Sequence, residues 1–132
     1  LFPGTGLEGE RGTGPGEGYT FNVPLPAGST ENDYLTVMDQ VIVPAVHAFA
    51  PELILVSAGF DAHRDDPLAM MSVSEHGFAQ MAERVADMAE ELTNGQLALT
   101  LEGGYNLQAL SGSVVAVLNA LDERSPGERS QI

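Results

Sequence analysis

An almost unbroken apolar run that stops at glycine and then offers an acid is the feature that most constrains this chain. Residues 53–58 have the sequence Leu-Ile-Leu-Val-Ser-Ala, and Gly59, Phe60 and Asp61 follow directly. Parallel strands that are buried on both faces show such runs, whereas half-buried strands alternate. Because open α/β sheets bind ligands beyond the carboxyl ends of their strands, the run predicts a buried strand that presents Asp61 at the functional edge of a parallel sheet.

A second apolar run repeats this arrangement further along the chain. Residues 97–101 are Leu-Ala-Leu-Thr-Leu, and Gly103, Gly104 and Tyr105 follow shortly after them. If the two strands are neighbours, a carboxylate and a phenol meet at one sheet edge and form half of an active site. Asp61 also suits a loop or helix cap, and Tyr105 also suits a packed phenol with one hydrogen bond. The functional alternative for Tyr105 is donation to a developing oxyanion.

Charge and composition limit the partners of the chain. The 132 residues include 5 basic side chains, all of them arginine, against 19 acidic ones, for a formal net charge of −14. Such a surface repels phosphate backbones, so we expect no direct contact with nucleic acid. A cationic partner or substrate would be attracted, although charge of this kind also serves solubility alone. Cysteine is absent, which excludes disulfides and thiolate metal ligands.

The apolar content and the start of the sequence bear on location. No apolar run approaches the length of a membrane span, and no signal peptide is visible. We therefore expect a cytoplasmic protein that does not bind membranes. The sequence opens with Leu1 inside a glycine-rich stretch, which suggests a cut piece of a longer protein.

The predicted elements alternate strand and helix, which is typical of a parallel sheet with crossover helices. A first strand covers residues 19–25, and the helix after it covers about 31–50 with a kink at Pro44. Residues 62–73 form the loop beyond the strand that begins at Leu53. The order predicts three parallel strands, each followed by a helix.

A capping signature precedes the second helix. Ser72 and Glu75 match a capping box. The apolar stripe of this helix comprises Phe78, Met81, Val85, Met88 and Leu92. The last helix runs from Leu107 to about Leu121, and residues 122–132 form a polar tail.

Two other patterns point to different chemistry. Residues 4–9 match a dinucleotide-binding string, but no strand precedes them and no amphipathic helix follows, so we reject that function. Asp61, His63 and Asp65 form an Asp-x-His-x-Asp pattern that resembles part of the dinuclear manganese motif of arginase-like ureohydrolases. Asp-Asp-Pro at residues 65–67 favours a loop there, and no second acidic pair follows another strand. We therefore expect His63 to lie in the loop or at the rim of the site.

Four segments, taken in order, resemble the histone deacetylase superfamily, which includes bacterial deacetylase-like amidohydrolases and acetylpolyamine amidohydrolases. They are Phe-Pro-Gly-Thr-Gly at residues 2–6, Gly-Pro-Gly-Glu-Gly-Tyr-Thr-Phe-Asn-Val-Pro-Leu at 14–25, Ser-Ala-Gly-Phe-Asp-Ala-His-Arg-Asp-Asp-Pro-Leu at 57–68 and Glu-Gly-Gly-Tyr-Asn-Leu at 102–107. Each segment is weakly specific by itself, and four in family order are strongly so. The Gly-Phe-Asp and the Glu before Gly-Gly-Tyr resemble the bacterial and class II branch. The match assigns residues 1–121 to the carboxyl-terminal part of the family's catalytic domain.

The resemblance implies an arginase-like, three-layer α/β/α fold around a zinc ion. Asp61 falls on the family's last zinc ligand, and Tyr105 falls on the tyrosine that polarises the acetyl carbonyl. The family's other zinc ligands, an Asp-x-His pair, and its His-His acid/base pair precede the Phe-Pro-Gly segment. They are absent from this chain, so the missing amino-terminal half of the domain is its implied partner.

The same resemblance assigns substrate and ion contacts. Phe2 falls on an aromatic wall of the acetyl-lysine tunnel, and Leu68 falls at its mouth. Gly103 and Gly104 let the backbone approach the substrate closely, because they carry no Cβ. Tyr19 falls on a residue whose backbone carbonyl binds a structural potassium ion in relatives.

The function implied is that of a fragment of a zinc-dependent deacetylase that hydrolyses acetyl-lysine or acetylpolyamine amides and is inactive without the missing part. Two alternatives stay open. One is a non-catalytic interaction module of the same fold, which lost the upstream ligands. The other is an arginase-like ureohydrolase, which would require manganese.

Overall fold

Two parallel strands and the helices that follow them make up most of the regular structure. The computed structural model describes residues 4–123. After a short 3₁₀ turn at Gly14–Gly16, the elements are α1 (Glu31–Val37), a π-helical segment (Met38–Ile42), α2 (Val43–Phe49), β1 (Ile54–Ala58), α3 (Glu75–Thr93), β2 (Leu97–Leu101) and α4 (Leu107–Glu123). Phe2 and residues 124–132 of the predicted tail lie outside the described part of the chain.

The two strands pair in parallel, with Ile54 opposite Leu97 and Ala58 opposite Leu101. Helix α3 is the crossover between them, as the alternation of elements predicts. Both strands therefore end at the same edge of the sheet, and the α/β class and the parallel arrangement are confirmed.

The strand predicted for residues 19–25 is wrong. The segment is irregular and forms no ladder with any described residue. Pro24 and Pro26 carry no N–H to donate, and Phe21 is 47% exposed. A strand needs a neighbour, and the described residues supply none here, so the described sheet has two strands rather than three.

The long helix predicted for residues 31–50 is confirmed, and its irregularity lies beside Pro44. The π-helical segment ends at Ile42, two positions before the proline. Because proline cannot donate the usual hydrogen bond within a helix, a locally wider turn accommodates it. The helix ends where Ala50 takes a left-handed conformation, with φ of 52°.

The start of α3 differs from the predicted capping box. Ser74 is the N-cap, and its Oγ accepts a hydrogen bond from the N–H of Gly77 at 3.2 Å. Ser72 instead donates its N–H to the carbonyl of Ser29, which ties the loop to the start of α1. The predicted capping box at Ser72 is therefore wrong, and α3 begins two positions later in the chain than that box would place it.

The core lies where α3 and α4 pack together and against the loop that follows β1. Its buried side chains are Phe60, Val73, Phe78, Ala82 and Val117. Helix α3 buries Phe78 and Met88 as predicted, and otherwise small residues, Ala82, Ala86 and Ala89. The predicted stripe residues Met81 and Val85 are only partly buried, and both line an apolar cavity of about 250 Å³ beneath the sheet. No helix within residues 4–123 is long and apolar enough to cross a membrane.

Candidate active site

Asp61 and the glycine pair before Tyr105 lie together at the carboxyl ends of the two strands. Backbone pairing continues beyond the ladder, since the N–H of Glu102 donates to Ala58 at 3.0 Å and the N–H of Phe60 donates to Gly103 at 2.8 Å. A Cβ built at Gly103 would lie 3.3 Å from both Cγ and Oδ2 of Asp61. The carboxylate therefore lies against the backbone of the second strand end, as the sequence predicts.

Glycine is required at this edge for two different reasons. Gly104 has φ of +139°, and a Cβ there would lie 2.9 Å from Cδ1 of Leu110 and 3.3 Å from Cβ of Phe60. Gly103 does not have a positive φ, and the three atoms nearest to its added Cβ all belong to the Asp61 carboxylate. Glycine at position 104 therefore avoids a collision with Leu110 and Phe60, and glycine at position 103 leaves room for the Asp61 carboxylate.

The Asp61 carboxylate is half-buried and accepts no hydrogen bond from the described residues. The alternative role as a helix or loop cap therefore fails within residues 4–123. Burial, with the negative charge of Asp61 as the second cause, raises the pKa of the Tyr34 phenol. In the sequence, Tyr34 is only one member of a helical apolar stripe, and that pattern does not predict that its phenol lies near Asp61.

The phenol of Tyr105 is exposed, whereas its backbone is hydrogen-bonded to another part of the chain. The side chain is 58% exposed, and its hydroxyl makes no hydrogen bond within the described residues, so the packed-phenol alternative fails there. Its N–H donates to Oδ2 of Asp66 at 2.8 Å. The next residue, Asn106, caps α4, because its Oδ1 accepts the N–H groups of Gln108 and Ala109, each at 3.1 Å.

His63 lies in the loop beyond β1, as predicted, but it is buried there rather than exposed at the rim. It is 1% exposed, and its ring stacks on Phe78 with centroids 6.5 Å apart and planes 7° apart. Its Nδ1 accepts the N–H of Asp65 at 3.1 Å, and its Nε2 lies 3.4 Å from Oε2 of Glu75. Because Nδ1 is an acceptor, Nε2 carries a ring proton, and this buried nitrogen has no hydrogen-bond partner among the described residues despite its proximity to Glu75.

The ureohydrolase pattern does not form a metal cluster. His63 lies in the core, whereas Asp65 has a side chain that is 64% exposed. Residues 4–123 contain no group of three histidine, cysteine or acidic side chains placed to hold a metal ion. Of the pattern, Asp61 alone remains a candidate ligand.

Comparison with known proteins decides the family. The family model described as "Histone deacetylase domain" matches residues 1–121. The chain belongs to the histone deacetylase family. A probable deacetylase of Archaeoglobus fulgidus is 45% identical over 108 residues, which are 82% of this chain and 30% of that protein. Histone deacetylase 10, chloroplastic, of Oryza sativa subsp. japonica is 46% identical over 119 residues, 90% of this chain and 27% of that protein.

Solved structures of histone deacetylases share the fold. The HDA15 HD domain matches with a TM-score of 0.84 and 40% identity, over 92% of this chain and 33% of that chain. The histone deacetylase Clr3 matches with a TM-score of 0.85 and 35% identity, over 99% of this chain and 22% of that chain. The chain thus spans a third or less of each relative, and it contains a portion of the histone deacetylase domain.

The other residues that the resemblance assigns to the substrate tunnel and the potassium site do not lie together with Asp61 and Gly103 in the described structure. Leu68 is 56% exposed on the loop beyond Asp61. Tyr19 is 76% exposed, and its ring meets Phe49 edge-on at 6.3 Å, beside the start of β1 rather than its end. Phe2 lies outside the described residues. Their roles in the tunnel and the potassium site stay predictions.

Proposed function

We propose that this chain forms part of a zinc-dependent deacetylase domain that hydrolyses acetyl-lysine or acetylpolyamine amides. The observation that supports this most directly is the pairing at the strand ends. A half-buried carboxylate, which accepts no hydrogen bond from residues 4–123, lies against the turn that carries a phenol with no hydrogen bond to those residues. In the histone deacetylase family, these two groups fit a metal ligand and an oxyanion donor.

The donor chemistry of Asp61 fits zinc. A carboxylate that receives no hydrogen bond from the described residues is suited to a cation, and catalytic zinc takes three protein ligands with one open position. Asp61 would be one of them, and the amino-terminal part of the domain would supply the others together with the histidine pair. Bound zinc activates water and polarises the amide carbonyl.

The residues of this chain would orient and stabilise the substrate. Tyr105 would donate its hydroxyl hydrogen to the oxyanion that forms on the amide carbonyl. Gly103 and Gly104 would line the approach, and Leu68 would lie at the mouth. The net charge of −14 would attract a cationic substrate. A cytoplasmic location and a potassium ion at the carbonyl of Tyr19 belong to the same proposal.

The test uses the complete domain, expressed with the sequence upstream of Leu1, and two variants. Asp61→Ala should lose zinc and activity together. Tyr105→Phe should retain zinc and nearly the wild-type KM, with kcat lowered on the order of 10²–10³-fold, as for loss of one oxyanion donor. Assays with an acetyl-lysine peptide and with an acetylpolyamine would identify the substrate class. A near-normal kcat for Tyr105→Phe would make the residue structural.

The 132-residue chain by itself supplies a further check. It should not hydrolyse acetyl-lysine and should bind zinc weakly, because residues 4–123 gather no three-ligand group. Stoichiometric zinc retained through dialysis would contradict this. An upstream sequence without an Asp-x-His pair would instead favour a non-catalytic interaction module. Turnover of an arginine-like substrate with manganese would favour a ureohydrolase.

A further inference from the structure

One carboxylate joins two backbone segments that the proposed site uses. Oδ2 of Asp66 accepts the N–H of Tyr105 at 2.8 Å, and Oδ1 accepts the N–H of Leu68 at 2.9 Å. The first bond spans 39 positions of sequence. Asp66 thus ties the turn that presents the phenol to the loop that starts at Asp61.

The loop that carries Asp66 is held by its own backbone hydrogen bonds and by a buried histidine. Successive turns close it, because the N–H of His63 donates to the carbonyl of Phe60 at 3.2 Å, and the N–H of Asp66 donates to the carbonyl of His63 at 2.9 Å. The buried imidazole adds a third bond through the N–H of Asp65 and is stacked on Phe78. The Asp66 carboxylate is therefore held by the core rather than by exposed chain alone.

The backbone of Tyr105 needs such a restraint. Its phenol is exposed and makes no hydrogen bond within the described residues, so among them only the backbone restrains the point from which the ring projects. On one side is Gly104, a residue with wide conformational freedom. On the other side is Asn106, whose Nδ2 donates to the carbonyl of Asp65 at 3.1 Å. The same loop therefore holds both Tyr105 and its neighbour.

We propose that Asp66 is a positioning residue, which holds the backbone of Tyr105, and with it the point from which the phenol projects, relative to the loop of Asp61. This inference rests on the proposed deacetylase function and adds a residue to that site. Asp66 does not touch the reacting atoms. Its effect on the reaction is geometric, because misplacing a catalytic group by about 1 Å lowers the rate by about 10²-fold.

The discriminating variants are Asp66→Asn and Asp65→Asn. Asparagine at position 66 keeps one carbonyl acceptor and turns the other oxygen into an NH₂ group, which cannot accept the second N–H. The Asp65 variant removes the same charge one position earlier, where the side chain accepts neither the N–H of Tyr105 nor that of Leu68. Any difference between the variants reports the hydrogen bonds rather than the charge.

Amide hydrogen exchange of the 132-residue chain tests the restraint without any need for activity. In Asp66→Asn, the protection of the Tyr105 N–H should fall about tenfold, since its hydrogen bond to a charged carboxylate is lost or is made instead to a neutral amide oxygen. Amides in the middle of α3 should not change, and Asp65→Asn should leave the Tyr105 N–H protected. Unchanged exchange at the Tyr105 N–H in Asp66→Asn would overturn the inference, whatever happens at the Leu68 N–H and whatever the activity.

The kinetics of the complete domain test the consequence. Asp66→Asn should lower kcat by about 10- to 100-fold with KM and zinc content near wild type, and Asp65→Asn should match the wild type. Loss of zinc or a raised KM with normal kcat would contradict a role in placing Tyr105. An inactive wild-type domain would refute the proposed function and the catalytic part of this inference, while the exchange result would still show whether the restraint exists.

Discussion

Replacing Gly104 by alanine should destabilise the fold much more than replacing another glycine with positive φ. The added Cβ would lie 2.9 Å from Cδ1 of Leu110 and 3.3 Å from Cβ of Phe60, which is a core residue at 5% exposure. The backbone at +139° is also one that residues with a Cβ rarely adopt. Gly28, with φ of +86° and nothing within 4 Å of an added Cβ, carries the backbone strain without the collision.

The magnitudes follow from these two contributions. Backbone strain at a non-glycine residue with positive φ costs about 1–3 kcal/mol, and overpacking of a core costs about 1–3 kcal/mol. The lower entropy of the unfolded chain returns about 0.4–1 kcal/mol. We therefore expect Gly104→Ala to lower the free energy of unfolding by about 1–6 kcal/mol, and Gly28→Ala by about 0–3 kcal/mol, with the difference between them set by the overpacking cost.

Urea unfolding of the 132-residue chain, followed by circular dichroism, measures both changes. The midpoint should fall in both variants with the slope m unchanged, since neither variant alters the surface exposed on unfolding. The difference between the two variants isolates the collision with Leu110 and Phe60. Equal losses would refute the reasoning, because they would mean that Leu110 moves aside at no cost.

The remaining predictions concern a neighbouring glycine, one hydrogen-bonded carboxylate and one aromatic ring. Gly103→Ala should change the free energy of unfolding by less than about 1 kcal/mol but weaken zinc binding of the complete domain about 10- to 100-fold, because its Cβ would displace the Asp61 carboxylate; zinc affinity equal to wild type would contradict this. Hydrogen bonds from the hydroxyl and then the N–H of Ser74 hold the pKa of Glu31 below its usual 4.5. The unfolded chain therefore binds the proton more readily than the folded chain, so the stability that ionised Glu31 contributes is fully present above about pH 4.5 and is lost as the pH falls through the lower pKa of the folded state. Urea unfolding at several pH values should show that the free energy of unfolding falls less steeply toward acid pH in Glu31→Gln than in the wild type. Phe78→Ala should cost about 3–5 kcal/mol, since the ring is 6% exposed in the core; a cost below about 1 kcal/mol in the same assay would show that the core collapses around the gap.

Local sequence patterns predicted the elements that carry the site. The apolar runs of β1 and β2 are each five residues long and end at a glycine or one residue before it, so length and composition alone predict two strands. The burial predicted for them is wrong within the described residues, because β1 alternates between partly buried and exposed positions and β2 is exposed at four of its five positions. Because parallel strands end at one edge, the placement of Asp61 near the turn of Tyr105 follows from topology without any knowledge of side-chain contacts. Long apolar periodicity similarly predicted the helices that pack beneath this edge.

Local patterns failed where a partner decides the outcome. Residues 19–25 have the composition of a strand but no neighbour to pair with in the described structure. Ser72 and Ser74 are both possible caps by residue type, and the structure uses Ser74, while the backbone of Ser72 is bound to the distant Ser29. His63 carries no local mark of burial, because its burial comes from stacking on Phe78 of another element.

The sequence by itself determined the family, the α/β class and the strand-end positions of Asp61 and Tyr105. These depend on periodicity, glycine stops and short motifs, which are properties of neighbouring residues. Only the tertiary structure showed that the Asp61 carboxylate accepts no hydrogen bond from residues 4–123, that Tyr34 lies near it and that Asp66 holds the Tyr105 backbone. The last two depend on residues far apart in the chain, and the packing that brings such residues together is not encoded in any local pattern.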